Sequence, residues 1–425
     1  MDSDSLQRLA VPGVSLLIAF LGYGSQLLFP GMKPGPLTGQ QKLTFNTLLV
    51  CLWISYARAV LTDPGHVAAD WISENIADDE EGPLLRQRLC RRCDASKPPR
   101  THHCKVCKRC IPKMDHHCPW TANCVSHFTF PHFMRFLLYA VASMTYLEGL
   151  LYGPAAAVWY SRDLRYDLGP SVTQLATLFI LIIVNTLTLF MVGITFFRAF
   201  YALCCNVSTI ESWEIERHEQ LLRRSRVLGG YLDGPDGAKI RIVRQEFPYD
   251  IGIWRNICAG MGTNNPFGWL SPFARTPSTD GLTFDTNGFE DPGTSWPPPD
   301  PDRMPRMQRG QEAMDAFTVQ HSGLTDREEV EAFRRRQEED YRRRLDHDPI
   351  LRRKAFHKRY ESSTSSNTED LDYNERSGSG EEGWQDSGGN RLKDYGVDED
   401  VEFYDEDDVP LAELLRRRQE KRSSD

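Results

Sequence analysis

Between Cys90 and Cys124 the chain gathers seven of its eleven cysteines and interleaves them with histidines. The order is Cys90-x2-Cys93, then His103-Cys104-x2-Cys107-x2-Cys110, then Asp115-His116-His117-Cys118-Pro119-Trp120, and finally Asn123-Cys124. Cys-x2-Cys turns place two thiolates on one side of a chain reversal, which suits a tetrahedral zinc ion with four N or S donors. With His103, His117 and Cys124 the window carries enough donors for two closed sites. Six cysteines and two histidines would fill both, so one cysteine is surplus. Spacing alone leaves the pairing of ligands with ions open, because Cys107 can pair with Cys104 or with Cys110.

Cys118 is the candidate for the surplus thiol. A cysteine becomes a useful nucleophile when an imidazolium and cationic surroundings stabilise its thiolate. His116 stands two residues earlier, on the same side of an extended backbone. Asp115 can hold the His116 ring in one tautomer, the part played by the third member of a catalytic triad. The competing reading makes Cys118 a further metal ligand or a structural thiol. The window has few apolar residues of its own, so metal would supply its folding energy.

Such a site needs a scaffold, and the rest of the first half supplies one. The chain has 425 residues, a formal net charge of -9 and a negative mean hydropathy, which together would suit a soluble acidic protein. That average hides four apolar stretches, Val11–Phe29, Phe45–Leu61, Phe136–Trp159 and Leu175–Leu203. Each approaches or exceeds the roughly 20 residues that cross a hydrocarbon core. Gly22, Gly24, Ser25 and Gln26 make the first the weakest. It reads as a retained span rather than a signal peptide, because Asp2 and Asp4 precede it with only Arg8, and no small-residue cleavage site follows. Buried core helices are the alternative.

The segment between spans two and three holds Arg86, Arg88, Arg91, Arg92, Lys97, Arg100, Lys105, Lys108, Arg109, Lys113 and Arg135. The loops on the other side offer only Lys33 and Lys42, and Arg162 and Arg165. Positive-inside bias therefore places the cysteine-rich loop and both termini in the cytosol. A reducing cytosol favours metal binding or catalysis over disulfides for clustered cysteines.

From about Ser271 the composition turns to Pro, Gly, Ser and charge, as in Pro297-Pro298-Pro299-Asp300-Pro301-Asp302, and predicts disorder. Thr325–Tyr360 and Pro410–Lys421 read as solvated charged helices, and Asp398–Asp408 as an acidic patch. Glu148 lies within span three, where an ionisable group is costly. It would either hydrogen-bond a neighbouring helix or line an internal cavity. Arg58 and Arg198 sit at span ends and would snorkel. Cys204 and Cys205 are juxtamembrane thiols open to acylation or to simple burial.

The motif Cys90-x2-Cys93-x3-Lys97-Pro98-x-Arg100-x2-His103-Cys104-x2-Cys107-x2-Cys110-x4-Asp115-His116-His117-Cys118-Pro119-Trp120-x2-Asn123-Cys124-Val125 resembles the cysteine-rich domain of DHHC-type protein S-palmitoyltransferases. Asp63-Pro64-Gly65 after span two resembles that family's Asp-Pro-Gly motif. Ser208-Thr209-Ile210-Glu211 after span four resembles its Thr-Thr-x-Glu, and Tyr249–Gly260 with Asn256 its C-terminal amphipathic element. Departures are Ser126 and Thr129, where the family has Gly and Asn, and Ser208 for the first Thr. Ser126–Phe133 is similar to a fungal Pfa-type branch associated with the endoplasmic reticulum.

The resemblance implies an all-α integral membrane protein of four transmembrane helices with a cytosolic two-zinc domain and a disordered C-terminal tail. In residues the divisions are 1–62 (spans one and two), 63–135 (zinc domain), 136–205 (spans three and four), 206–270 (C-terminal element) and 271–425 (tail). It implies Cys118 as acyl-accepting nucleophile, His116 as base and Asp115 as its orienting partner. One zinc would be held by Cys90, Cys93, His103 and Cys110, the other by Cys104, Cys107, His117 and Cys124. Palmitoyl-CoA would be the donor, and cysteines of membrane-associated proteins the acceptors, at the endoplasmic reticulum membrane. Arg91, Arg92, Lys105, Lys108 and Arg109 could attract the CoA phosphates or anionic membrane lipids.

Other function classes fit less well. Four spans and the acidic balance disfavour a zinc-finger nucleic-acid binder. A membrane RING-type ubiquitin ligase leaves Asp115-His116-His117-Cys118 without a purpose. A catalytically silent membrane scaffold is the main alternative, and the intact Asp115, His116 and Cys118 speak against it.

Overall fold

A computed structural model describes residues 3–68, 71, 89–90, 92–93, 95–162, 169–234, 239–288, 296–298, 300–303 and 385–398. Arg86, Arg88 and Arg91, the charged runs Thr325–Tyr360 and Pro410–Lys421, and most of the acidic patch at 398–408 lie outside the described residues.

Four helices are long and apolar enough to cross a membrane, over Leu9–Gly31, Gly39–Leu61, Phe130–Tyr160 and Val172–Cys205. The first is composite. Helix α1 (Ser3–Ala19) runs through a π-helical turn at Phe20–Gly24 into α2 (Ser25–Leu28). The widened turn falls where the sequence is least apolar. Gly22 allows close packing there, since a Cβ on it would lie 2.8 Å from a Leu49 methyl. Helices α3 (Gly39–Leu61) and α5 (Val172–Cys205) each open with a capping box, Thr38 with Gln41 and Ser171 with Gln174, which satisfies the first orphan amides. α4 (Phe130–Tyr160) packs between α3 and α5. Phe45, Leu49, Leu147, Leu151 and Leu181 are buried in the shared core. Phe179, Leu187, Phe190, Ile194 and Phe197 of α5 face outward. Hydrocarbon solvates such a face and water does not.

Glu148 accepts hydrogen bonds from Asn185 Nδ2 at 2.6 Å and Thr186 Oγ1 at 2.9 Å, joining α4 to α5. Of the two roles open to it in the sequence, the structure shows the interhelical one.

The cysteine-rich loop is built from three small antiparallel hairpins, β1 (Leu89–Cys90) with β2 (Ala95–Ser96), β3 (His102–Cys104) with β4 (Arg109–Ile111), and β5 (His116–Cys118) with β6 (Asn123–Val125). Strands this short carry no alternation of apolar and polar residues, so the hairpin pairings were not legible beyond the turns between cysteines. Lys108 and Ala122 take positive φ (54° and 49°) to close the second and third hairpins.

Side-chain hydrogen bonds fasten this loop to the membrane helices. Asn123 Nδ2 donates to the carbonyls of Ala59, Val60 and Thr62, capping the open end of α3. Ser126 Oγ donates to Pro64 O at 2.8 Å, and its own N–H reaches Thr129 Oγ1 at 2.9 Å. Ser126 and Thr129 are the two departures from the resemblance in this stretch, and together they lock the zinc loop to the turn after α3. In that turn Gly65 has φ 88°, with the Phe128 ring 2.6 Å from where a Cβ would stand. Gly65→Ala is therefore expected to cost about 1–3 kcal/mol, read as a lowered Tm of the detergent-solubilised protein.

After α5, Asn206 ends the helix in the left-handed conformation, and α6 (Thr209–Val227) starts from another capping box, Ser208 with Glu211. A hairpin of β7 (Tyr231–Asp233) and β8 (Lys239–Arg241) follows, then α7 (Ile253–Met261) and α8 (Pro266–Leu270). Asn256 of α7 donates to Cys204 O at 2.7 Å and accepts from Ile251 N, tying this element back to the end of α5.

Composition gave no expectation of packed structure beyond Ser271, only of solvated helices, yet three pieces of that region pack on the zinc loop and α6. Thr279 pairs with His127 at 2.8 Å, and Phe284 covers the Arg100 guanidinium at 4.9 Å. Asp300 accepts from Arg217 at 3.0 Å. Residues 385–398 lie across β3 and α6, with Leu392 and Val397 fully buried. Each piece is held by scattered single residues, too sparse a pattern for hydrophobicity averaged along the chain to register.

Candidate active site and metal centres

Strand alternation sorts the Asp-His-His-Cys run into two functions. In β5, His117 turns to one side and pairs across the hairpin with Cys124, while His116 and Cys118 turn to the other. The same rule pairs His103 with Cys110 across β3 and β4.

Two four-residue groups result, Cys90, Cys93, His103 and Cys110, and Cys104, Cys107, His117 and Cys124, each with its donor atoms within 4.8 Å of one another. His103 Nδ1 is 3.3 Å from the sulfurs of Cys90 and Cys93 and 3.9 Å from that of Cys110. His117 Nδ1 is 3.7, 3.6 and 3.4 Å from those of Cys104, Cys107 and Cys124. A tetrahedral zinc with sulfur at about 2.3 Å and nitrogen at about 2.0–2.1 Å gives donor separations of about 3.5–3.8 Å. The residues fit zinc in number, chemistry and spacing, and they place Cys107 with Cys104 rather than with Cys110. Both groups could hold zinc, and Cys118 belongs to neither.

On the opposite face of β5, Asp115 Oδ2 accepts from His116 Nδ1 at 2.6 Å. The ring of His116 stands edge-on to Phe133, 5.7 Å between centroids. Burial works against a charged imidazole, but Asp115 and Cys118 outweigh it and push His116 up to about 10. Burial likewise opposes ionisation of Cys118 and Asp115, yet interaction with His116 holds both below their ordinary values. The arrangement supports a thiolate–imidazolium pair anchored by a buried carboxylate.

Asp115 is itself held from α6. Thr209 N donates to Asp115 Oδ1 at 2.8 Å, and the Thr209 hydroxyl donates to the Asp115 carbonyl. Two residues later Glu211 takes a bidentate grip on Arg100, at 2.5 and 2.7 Å, and Arg100 also donates to Asn206 O at 2.6 Å. Lys113 donates to Asn206 Oδ1 at 2.8 Å, and burial followed by repulsion from Arg100 pushes its ammonium down to about 7. The Arg100–Glu211 pair is buried on both sides. Removing one charge strands the other, so Glu211→Gln is expected to cost about 3–5 kcal/mol in thermal or denaturant unfolding. The sequence marked Glu211 by resemblance but gave no sign that its partner is Arg100, or that Thr209 orients Asp115.

Cys118 opens onto a cavity of about 780 Å³ between the membrane helices. Its walls are apolar, with Leu17 of α1, Leu21 of the π-helical turn, Leu52 of α3, Phe133 and Leu147 of α4 and Val192 of α5. Asp115, His116, Thr209, Arg198, Asp394 and Tyr395 also line it, while Ser143, Thr188 and Thr195 are polar positions on the membrane helices. Among the cysteines of the described residues, only Cys118 lies in this wall. Such a space suits a long apolar chain whose reactive end meets the thiol.

Comparison with known proteins agrees with this geometry. A family model described as DHHC palmitoyltransferase matches residues 85–216. Over its full length the chain is similar to Palmitoyltransferase pfa4 of Emericella nidulans, 52% identical over 427 residues covering 98% of both chains. Palmitoyltransferase pfa4 of Aspergillus fumigatus is 50% identical over 99% of both. Palmitoyltransferase PFA4 of Gibberella zeae is 41% identical, covering 98% of this chain and 97% of its own. Motif, membrane helices, paired metal centres and full-length similarity agree, and the chain belongs to the DHHC palmitoyltransferase family.

Proposed function

We propose that the chain is a protein S-palmitoyltransferase that carries the acyl group on Cys118 as a thioester. The observation that carries this reading is that Cys118 is left out of both four-ligand groups and is the cysteine facing the apolar cavity. The acyl chain of palmitoyl-CoA lies in the cavity, and the Cys118 thiolate attacks its thioester carbonyl. The C–S bond to coenzyme A breaks, and the departing thiolate takes the proton held by His116. An acceptor cysteine then delivers its proton to His116 and attacks the Cys118 thioester, and Cys118 leaves as thiolate. One thioester is exchanged for another at each step, so no external energy source is needed. Asp115 fixes the His116 ring throughout. Cys90, Cys93, His103 and Cys110, and Cys104, Cys107, His117 and Cys124, would each hold a zinc ion, which would supply folding energy to a loop with little core of its own.

Acceptors are cysteines of membrane-associated proteins at the cytosolic face. The basic loop supports a cytosolic zinc domain and cytosolic termini, and the likeness to Pfa4-named relatives supports the endoplasmic reticulum. The test is mass spectrometry of the purified protein after incubation with palmitoyl-CoA. A hydroxylamine-labile C16 adduct on the peptide containing Cys118 is expected, and acylation of other cysteines with Cys118 unmodified would overturn the reading.

A further inference from the structure

The segment 385–398 reaches the reaction site although almost 280 residues separate its tyrosine from Cys118. It is anchored on both sides of its tip. Leu392 and Val397 are buried with Cys104, Ile111, Ile210 and Trp213. Asp398 N donates to His103 O, and Lys105 N donates to Gly396 O, each at 3.0 Å, so the segment adds a short bridge to the outer edge of β3. Gly396 has φ 83°, and a Cβ there would sit 2.6 Å from that of His117. A glycine is needed to pass so close. Between the anchors, Asp394 and Tyr395 are delivered into the wall of the cavity that holds Cys118.

Tyr395 meets a single cation there. Its hydroxyl donates to Asp386 Oδ2 at 2.8 Å, and it shares the cavity wall with Arg198, two turns before the end of α5, whose charge acts on the phenol. A guanidinium has five N–H donors and one phenolic oxygen occupies few of them, so the charge stays available. Among the described residues Arg198 is the one arginine or lysine lining the cavity. The loop cations that the sequence nominated for the CoA phosphates are engaged elsewhere where they are described: Arg109 with Asp63 at 2.7 Å, and Arg92 with Asp398 at 3.4 Å. Lys105 and Lys108 are absent from the cavity wall.

We propose that Arg198 binds the phosphate-bearing head of the acyl donor at the mouth of the cavity, and that Tyr395, brought in by the segment 385–398, positions the Arg198 guanidinium for it. This rests on the donor reading above. A donor whose chain fills the cavity and whose carbonyl meets Cys118 leaves its anionic head at that mouth, and a guanidinium fork suits phosphate.

The experiment compares autoacylation kinetics of full-length wild type, Tyr395→Phe, Arg198→Gln and the double variant in uncharged phosphatidylcholine vesicles. Two donors are used, palmitoyl-CoA and S-palmitoyl-N-acetylcysteamine, which has the same thioester end and no phosphate. Loss of the positioning Tyr395 hydroxyl is expected to raise KM for palmitoyl-CoA about 3- to 10-fold, more than it lowers the maximal rate. Arg198→Gln should raise it about 10- to 100-fold, with no further penalty from adding Tyr395→Phe. With the phosphate-free donor neither variant should shift KM. Equal penalties with both donors, or none with palmitoyl-CoA, would overturn the proposal. So would a shift confined to vesicles doped with phosphatidylserine, since the phosphate would then belong to a lipid. Zinc content checks that each variant is folded, and Asp386→Asn, which removes the acceptor of the Tyr395 hydroxyl, replaces Tyr395→Phe if that variant misfolds. Failure of wild type to acylate Cys118 would instead remove the donor reading itself.

Discussion

Cys118→Ser is expected to abolish hydroxylamine-labile acyl labelling while leaving the metal content of the protein unchanged. The expectation separates the two faces of β5. His117, on one face, completes a four-ligand group with Cys104, Cys107 and Cys124, and Cys118, on the other, completes none. Exchanging sulfur for oxygen changes one atom in a buried position beside the cavity, so folding should be retained. A serine hydroxyl is far harder to ionise than a thiol, and even an oxyester formed on it would resist neutral hydroxylamine. His116→Ala should be milder, lowering the acylation rate by about 10²- to 10⁴-fold, the usual contribution of a positioned acid–base group. Radiolabelled or clickable palmitoyl-CoA measures both. Wild-type-like labelling of Cys118→Ser would sink the nucleophile assignment, and loss of metal in that variant would mean that Cys118 is a ligand after all.

Cys104→Ser should have the opposite profile, with the fold failing first and activity only as a consequence. Cys104 is fully buried, and its group is surrounded by Ile111, Met114, Ile210 and Trp213. A structural zinc site is worth about 10–16 kcal/mol in apparent binding free energy, more than the whole stability of most domains. A weak oxygen ligand in place of a thiolate forfeits much of that. The measurements are zinc per chain after purification and the monodisperse fraction in detergent. Fewer than two ions and a collapse in recovery are expected. A well-behaved variant with two zinc ions would show that the second group does not hold the loop together. Cys90→Ser tests the other group in the same way.

How much could be read from the residues alone depended on distance along the chain. Cys-x2-Cys turns and the i, i+2 relation of His116 to Cys118 are local, and both are legible in a stretch of some 35 residues. The four spans were legible because hydrophobicity accumulates over a whole helix, although the ends shifted. Val11–Phe29 proved to be the inner part of Leu9–Gly31, and Phe136–Trp159 that of Phe130–Tyr160. What could not be read were pairings between distant residues. Nothing in the composition says that Arg100 meets Glu211, that Thr209 holds Asp115, or that Glu148 is shared by Asn185 and Thr186. Ser126 and Thr129 looked like departures from a motif and are an interlock with Pro64. The piece at 385–398 escaped because two buried aliphatic residues and a glycine vanish in a polar average.

The bridge between Cys104 and Val397 sets a timetable for making this protein. Ribosomes add roughly 5–20 residues per second, so the separation of 293 residues takes roughly 15–60 seconds to translate. During that interval the outer edge of β3 is an unpaired strand edge, and the mouth of the cavity lacks Tyr395. Every newly made copy thus passes through a stage that has its cysteines, its metal ligands and its membrane helices but not its finished doorway. The edge of β3 stays open for that long, and Tyr395 reaches the cavity wall only when the segment 385–398 docks.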